Sequence, residues 1–562
     1  MKTKTVIDYY AIDVTAKSDS SYSIDDKQEF SDVDNLKLNK LAENKYATLE
    51  KNFLTLDGEE TFMGDSVSVA YWSKTMSDED GIMQNEPEIE INFTNNVHSS
   101  IGITLTFSQY SYASQLTITY YNSSDEVIST KTFEPDNYEY FCEQVVANYK
   151  KIKIKFEKTN YPYRYIKLFR ILFGKVVEFD GSSLISANLL ESVNILSDQI
   201  TINTLEFSVY SNDDRFNILN PEGVYKTLQE RQLVNAYKIT ENNTIDMGTF
   251  YLNSWTSEKD NKMRFTAIDL TGILDNSNFV GGIYADITVE NLISQIMTSA
   301  GISSLFYEID NEIKDLELSG YIPICTHRQA LQYVLFAIGA LSNCARSDKI
   351  KIEKIKEIEE PNVIEKSNVL KGTRKIEQGK IVTGVSVMAH QYRQEGSEVK
   401  LFEGTLNDGD NTITFNEPVY NLRCTSGTIS ASGANFVTIT RSGSGNTTIY
   451  GYKYTHETQT FLVEDQTLTE NEKSNILKIE EDYLINFENA LDVATRVLNY
   501  YKNSYKTNFE FILDDEKPAD NVIIEENFDN TLNGYITQLD IDMVGGYITK
   551  AEAVAKVSEE DE

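Results

Sequence analysis

The sequence predicts a mainly β protein with a small α/β portion. Three observations carry that prediction. Apolar residues alternate at a period of two over most of the chain. Only three segments hold them at helical spacing. Breaks rich in Asn, Ser, Asp and Gly separate the runs. The architecture that follows is an N-terminal β-sandwich, then two further β regions flanking an α/β domain, with a small β insertion in the second. At about 150 residues per domain, a length of 562 residues allows three or four units, each able to bury its own core.

Residues 1–45 are polar and charged, with weak periodicity, and read as an N-terminal arm. From 46 to 175 the pattern is β. Ile101, Ile103, Leu105 and Phe107 alternate with polar residues, as do Leu116, Ile118 and Tyr120, then Ile152, Ile154 and Phe156. Residues 176–285 form a second β region. There Leu205, Phe207 and Val209 alternate, as do Met263, Phe265 and Ala267, on either side of a turn-rich stretch over 212–223.

Helical spacing enters over 286–375. Thr288 is placed to cap a helix bearing Leu292, Ile293, Ile296 and Met297, and Gly301 to end it. Thr326 and Gln329 read as a capping box ahead of Ala330, Leu331, Val334, Leu335 and Ile338. A strand with Ile350 and Ile352 follows. The chain is β again from 376, where Ile381, Thr383, Val385 and Val387 alternate. Residues 402–460, rich in Gly, Ser, Thr and Asn, read as an inserted small β domain. An amphipathic helix from about Asn486 to Lys502 turns Leu491, Ala494, Val497, Leu498 and Tyr501 inward. Strands with Phe509 and Phe511, then Leu539, Ile541 and Met543, come last, before an acidic tail over 554–562. No fixed-period repeat is present.

The charge balance excludes some functions. With 51 Lys+Arg against 87 Asp+Glu, the net charge is −36. A protein that grips nucleic acid needs a basic surface, and an anionic membrane leaflet repels an acidic one. Cys142, Cys325, Cys344 and Cys424 are far apart, so buried thiols in a reducing compartment are expected, not a disulfide framework. The start, MKTKTVIDYYAIDVTAKSDS, lacks the apolar core of a signal peptide, and no window reaches 18 apolar residues. A soluble protein or assembly component is expected.

No catalytic signature appears: no HExxH, no GxSxG, no phosphate loop ending in Gly-Lys-Ser/Thr. Gly443-Ser-Gly445 resembles part of a dinucleotide fingerprint, but Thr448 stands at the third glycine and the flanks are strand-like, so a hairpin is expected. Cys325, His327 and Cys344 lack zinc spacing, and His327 falls in a first helical turn. Glu86, Glu88 and Glu90 alternate along one strand face and read as solvated. Asp408-Gly-Asp410 reads as a turn without calcium-loop spacing. Trp72, with Tyr71, Tyr110 and Tyr112, offers aromatic faces that stack on sugars if they rim the sandwich. Core packing is the alternative reading.

Six stretches carry a resemblance through their order. They are ITINTLEFSVYSNDDRFNILNPEG (200–223), GTFYLNSWTSEKDNKMRFTAIDLTGILDN (248–276), YADITVENLISQIMTSAGI (284–302), YIPICTHRQALQYVLFAIGALSNCARSDKIKI (321–352), ENALDVATRVLNYYKNSYKTNFEFIL (488–513) and GYITQLDIDMVGGYITKAEA (534–553). This order resembles the baseplate hub, or tail-associated, proteins of bacteriophage tails and phage-tail-like contractile injection systems. KYATLEKNFLTLDG (45–58), YWSKTMSDEDG (71–81) and YPYRYIKLFRILFG (161–174) resemble a discoidin-like or carbohydrate-module-like sandwich set ahead of such hubs in some phages of low-GC Gram-positive bacteria.

The resemblance implies a two-barrel hub: barrel 1 over 176–285, barrel 2 with its helix over 376–401 and 461–553, and the α/β domain between. It implies a virion structural protein of the tail baseplate, made in the host bacterial cytoplasm. Three chains would form a homotrimer that adapts a sixfold tail tube to a threefold central spike. Tape-measure protein or DNA would pass through the enclosed channel, and other baseplate proteins would be neighbours. It implies no enzyme, no cofactor and no metal. The alternative is a tail protein whose sandwich binds host cell-wall glycan. Ring closure would draw on strand-edge pairing and apolar contacts. The acid could line the channel so that phosphate slides without sticking, or only keep a large assembly soluble.

Overall fold

The computed structural model describes residues 3–37, 50, 70–210, 231–240, 243–257, 261–355, 361–469, 475–502, 505–525 and 531–557. The turn-rich stretch 212–223, most of 45–58 and the end of the acidic tail lie outside these residues. The fold is mainly β, with three helices longer than two turns among the described residues.

Two antiparallel sheets make the sandwich. One has the order Tyr71–Trp72, Lys167–Leu172, His98–Phe107, Glu139–Tyr149. The other runs Ser20–Ile24, Glu88–Phe93, Lys151–Thr159, Ala113–Tyr121, Val127–Phe133. Their apolar alternation meets in one core. Ile103, Leu105 and Phe107 share it with Leu116, Ile118, Tyr120, Ile152, Ile154 and Phe156. On the outer face of the second sheet, Glu88 and Glu90 pair with Lys153 at 2.7 and 3.3 Å, and Glu86 with Lys155 at 2.5 Å. These half-exposed pairs hold little energy, but they stop like charges facing each other across strands.

A 13-stranded sheet dominates the rest. Its order is Gly174–Phe179, Lys4–Ile12, Leu233–Ile239, Thr244–Ser257, Lys262–Ile268, Thr204–Tyr210 and Leu184–Ser192. It continues as Thr531–Asp542, Ile548–Val557, Tyr505–Ile512 and Lys375–Gln378. Asn521–Glu525 also pairs with Thr531–Asp542, and Asn362–Ile364 pairs with Asn521–Glu525. The first seven strands curl. Phe179, on the end strand, lies 6.2 Å from Phe265 and 5.9 Å from Phe207, four and five strands along. On a flat sheet, at about 4.8 Å per strand, these rings would be far apart.

Lys4–Ile12 falls in the expected arm but is a full member of this sheet. Ile7 and Tyr9 are completely buried. Ile12 pairs with Gly174, so the chain leaves the sheet at one strand, builds the sandwich, and returns on the neighbouring strand. The sandwich is therefore an insertion held on two adjacent strands.

The α/β portion forms as its caps dictate. The Thr288 hydroxyl accepts the Asn291 N–H, the helix Val289–Ser299 follows, and Gly301 adopts φ +76°. The Thr326 hydroxyl accepts the Gln329 N–H at the start of His327–Ile338, which ends at Gly339 with φ +71°. The capping box is half made, because the Gln329 amide instead donates to the Tyr333 hydroxyl at 3.2 Å.

The third helix is Ala490–Tyr501, shorter than expected, and Leu491 is half exposed while Val493 is buried. A start at Ala490 puts Leu491 on the solvent face. The helix packs on Val385, Val387 and Ala389 of a long hairpin, Gly384–Leu406 with Gly445–Glu464. Ile381 stands before that hairpin and is exposed. The expected insertion has no break at 402. The hairpin runs straight into it, and Leu406, Val437, Ile439 and Ile449 give its tip a separate small core.

The junction of the two halves of the large sheet is closed by charge. Leu184–Ser192 pairs with Thr204–Tyr210 on one side and with Gln538 to Asp542 on the other. Within it Glu191 is fully buried, and Arg346 of the α/β portion donates to its Oε2 at 3.3 Å and to the Glu516 carbonyl at 2.7 Å. Arg346→Met leaves a buried carboxylate uncompensated and is expected to cost about 3–5 kcal/mol in denaturant unfolding. Glu191→Gln added to it should recover part of that loss. An unchanged midpoint for Arg346→Met refutes this role.

Asp482, just before the third helix, gives a pH signature. Burial pushes its carboxyl up to about 8, despite the Leu484 N–H on Oδ1 and the nearby Arg496. Its ordinary value is about 3.9. Between about pH 4 and 8 the unfolded chain loses a proton that the folded chain keeps, so stability falls as pH rises through that window. Asp482→Asn is expected to flatten this slope in unfolding curves taken at several pH values. An unaltered slope counts against it.

Candidate functional site

The four aromatic residues singled out from sequence part company. Tyr71 is fully buried, stacked on Phe156 at 6.1 Å, with its hydroxyl on the Asp26 carbonyl. Trp72 is 5% exposed, packed against Phe30 and Tyr165, with Lys167 Nζ 4.2 Å over its ring. Both are core residues and offer no face to a ligand. Adjacent on a short strand against Lys167–Leu172, they face opposite sides: Tyr71 joins the sandwich core, and Trp72 is covered by Phe30 and Tyr165.

Tyr110 and Tyr112 do line a concavity, with partners that sequence reasoning did not nominate. A groove of about 820 Å³ is lined mainly by three loops of the sandwich, with Glu79 from a fourth, and Tyr138, Tyr161 and Tyr163 complete its aromatic wall. Tyr110 and Tyr161 are each 60% exposed. The amides of Gln109, Asn137 and Asn160 lie among the rings, and Glu79 and Arg164 add one charge of each sign. The signal in the sequence was the run Tyr161-Pro-Tyr163-Arg-Tyr165, whose rings cannot all face a core.

The loops are tied together. The Asn160 side-chain Oδ1 accepts the Tyr112 N–H at 3.3 Å, and its Nδ2 donates to the Tyr110 carbonyl at 3.4 Å. The Tyr112 hydroxyl donates to the Asp136 carbonyl at 3.1 Å, reaching the third loop. Arg164 N–H donates to Ser77 Oγ at 3.0 Å and Tyr163 N–H to the Asp78 carbonyl at 3.3 Å. These bonds hold Tyr163 at φ +56°, a left-handed conformation that a bulky residue keeps only under such constraint.

One strand joins the groove to the His98 end of the sandwich. His98 begins the strand whose other end, Phe107, leads into the Tyr110 loop. At about 3.3 Å per residue, ten residues separate the two by about 30 Å. At the root, His98 Nδ1 is 3.1 Å from Asp13 and Nε2 is 3.0 Å from Asp19. Burial opposes the Asp19 charge, but the Asn96 N–H, the His98 ring and the Asn95 N–H outweigh it and hold that carboxyl well below the usual range. The Thr104 hydroxyl donates to the Gly174 carbonyl at 2.7 Å. The sandwich is thus clasped to the sheet where it is inserted.

The remaining sequence candidates are structural. His327 is buried, with Nδ1 2.8 Å from the Ser277 carbonyl and Nε2 2.9 Å from Ser299 Oγ. Burial pushes the Cys325 thiol up to about 12, and the Cys344 thiol well up, so neither is a ready nucleophile. Gly443, at φ +88°, joins Phe436–Arg441 to Gly445–Glu464. These strands lie in different sheets, so the segment is a crossover and not the expected hairpin. Asp408 Oδ1 accepts the Gly443 N–H at 2.6 Å. Among the described residues no His/Cys/Asp/Glu group could hold a metal, and no helix is long and apolar enough to cross a membrane.

With this geometry in place, comparison finds the chain similar in fold to phage tail proteins. The 43 kDa tail protein of prophage MuSo2 from Shewanella oneidensis matches with TM-score 0.39 and 11% identity, over 68% of this chain and 95% of that one. A tail protein from Neisseria meningitidis MC58 matches with TM-score 0.40 and 10% identity, over 68% and 94%. Prophage tail protein gp18 from Listeria monocytogenes EGD-e matches with TM-score 0.39 and 9% identity, over 69% and 92%. No protein-family profile matches the chain, and no curated protein does.

Asn160→Ala removes the two side-chain hydrogen bonds that tie the 110–112 loop. A stability loss of about 1 kcal/mol is expected, with faster amide hydrogen exchange at Tyr112. Exchange at Tyr112 unchanged from wild type refutes the tie.

Proposed function

We propose that the chain is a structural hub subunit of a phage or phage-like tail baseplate. Three copies form a ring that joins the sixfold tail tube to the threefold central spike and encloses the channel. The observation that carries this reading is the merged sheet. Two β halves are joined along Leu184–Ser192, and read as one repeat each they would make six in a trimer. The order of segments along the sequence supports the same reading.

The ends of the sheet fit ring closure. Among the described residues, Gly174–Phe179 and Lys375–Gln378 each have one strand partner, and all four residues of Lys375–Gln378 are exposed. Ile512, 62% exposed, lies on the strand next to that edge and stands opposite Ile548, 40% exposed, one strand further in. Open edges beside exposed apolar residues invite pairing with another chain, and a heterologous contact that closes at three satisfies them. In such a ring the acidic excess of the chain suits a bore that DNA or tape-measure protein traverses without being held. The hub role requires no catalysis.

Light scattering on the purified chain is expected to give three times the chain mass, and electron microscopy a threefold ring. Ile512→Glu should shift the population to monomer without loss of secondary structure, since the side chain is exposed. A wild-type chain that stays monomeric at every concentration overturns the hub reading.

A further inference from the structure

We propose that the groove between the Tyr110, Tyr138 and Tyr161 loops of the sandwich is a binding site for a neutral oligosaccharide. The inference does not depend on the hub reading. Its volume, about 820 Å³, falls in the range of small-ligand sites.

The chemistry of the wall selects the ligand. Tyr110, Tyr112, Tyr138, Tyr161 and Tyr163 present flat faces rimmed by hydroxyls, and tyrosine offers that area at low entropic cost. A pyranose ring has the complementary build: an apolar C–H face and a hydroxyl edge. The Gln109 amide offers a donor and an acceptor, and Asn137 and Asn160 each keep an N–H beyond the bonds they make to the loops, which suits hydroxyls that both donate and accept.

The wall also argues against other ligands. It contains no Leu, Ile, Val, Met or Phe, so it lacks the aliphatic groove that takes the apolar face of an amphipathic helix. Its formal charge is balanced, Glu79 against Arg164, in a chain of net charge −36. A polyanion such as a phosphate-bearing polymer finds no basic footing there.

The site is built before the ligand arrives. Asn160 and Tyr112 lock the three loops together, and Tyr163 is held in a left-handed conformation with its ring at the groove. Preorganisation lowers the ordering cost on binding.

The test uses the full chain on an array of neutral oligosaccharides built from hexoses and N-acetylhexosamines, followed by titration calorimetry with the best-bound member. Binding is expected. The Tyr138→Ala/Tyr161→Ala double variant should weaken it at least tenfold with an unchanged melting temperature, because both rings are exposed. Tyr210→Ala, exposed on the large sheet, should leave it intact. Four results overturn the proposal. They are no binding on the array, binding indifferent to the double variant, binding confined to anionic glycans and abolished by salt, and groove-dependent binding of another tail protein with no glycan bound.

Discussion

The strand Leu184–Ser192 has a different half of the molecule on each edge. Everything after residue 176 depends on this arrangement. A strand hydrogen-bonded on both sides cannot shift register without breaking both ladders, and a one-residue slip would turn Leu189 out and Glu191's neighbours in. Glu191 makes the lock chemical as well as geometric. Its buried carboxyl needs the Arg346 guanidinium, and that guanidinium also binds the Glu516 carbonyl beyond the second half. Asn343 adds a donor to the Pro518 carbonyl at 3.2 Å. The α/β portion therefore fastens the seam that two β halves alone would leave to backbone pairing.

Much of this was legible in the sequence because one-sided burial writes itself as alternation. Leu205, Phe207 and Val209, and Met263, Phe265 and Ala267, are buried as their spacing requires. Helix starts were legible because Thr288 and Thr326 do local chemistry with N–H groups three residues on. Lys4–Ile12 escaped notice because its few apolar residues are set in a polar stretch and its partners are distant in sequence. The Arg346–Glu191 pair escaped for another reason: nothing local distinguishes a charge destined for burial from one on the surface.

The candidate site shows the limit most clearly. Tyr71 and Trp72 are adjacent and face opposite sides of a short strand, yet both are buried, because Phe30, Tyr165 and Lys167 cover the side that Trp72 faces. Tyr138, Tyr161 and Tyr163 come from loops, where no periodicity predicts direction. What gathers them is hydrogen bonding by Asn160, Ser77 and Asp78, from positions up to about eighty residues away. A groove assembled from three loops is a property of their meeting, and no single segment contains it.

Both added modules enter the fold at places where the chain's two crossing points are already neighbours. The sandwich leaves at Ile12 and returns at Gly174, which are register partners. The glycine-rich unit rides on a hairpin in which Gln394 faces Tyr454. An insertion whose ends are held together by a ladder adds little closure entropy to the host, so the large sheet forms as if neither were present. The same device fixes orientation. Two adjacent strands resist twisting more than a single linker, and at the sandwich's root the His98 ring between Asp13 and Asp19 bars rotation about them. A module mounted in this way holds its far end at a set distance and direction. Flexible tethering would have served reach, whereas this mounting serves aim.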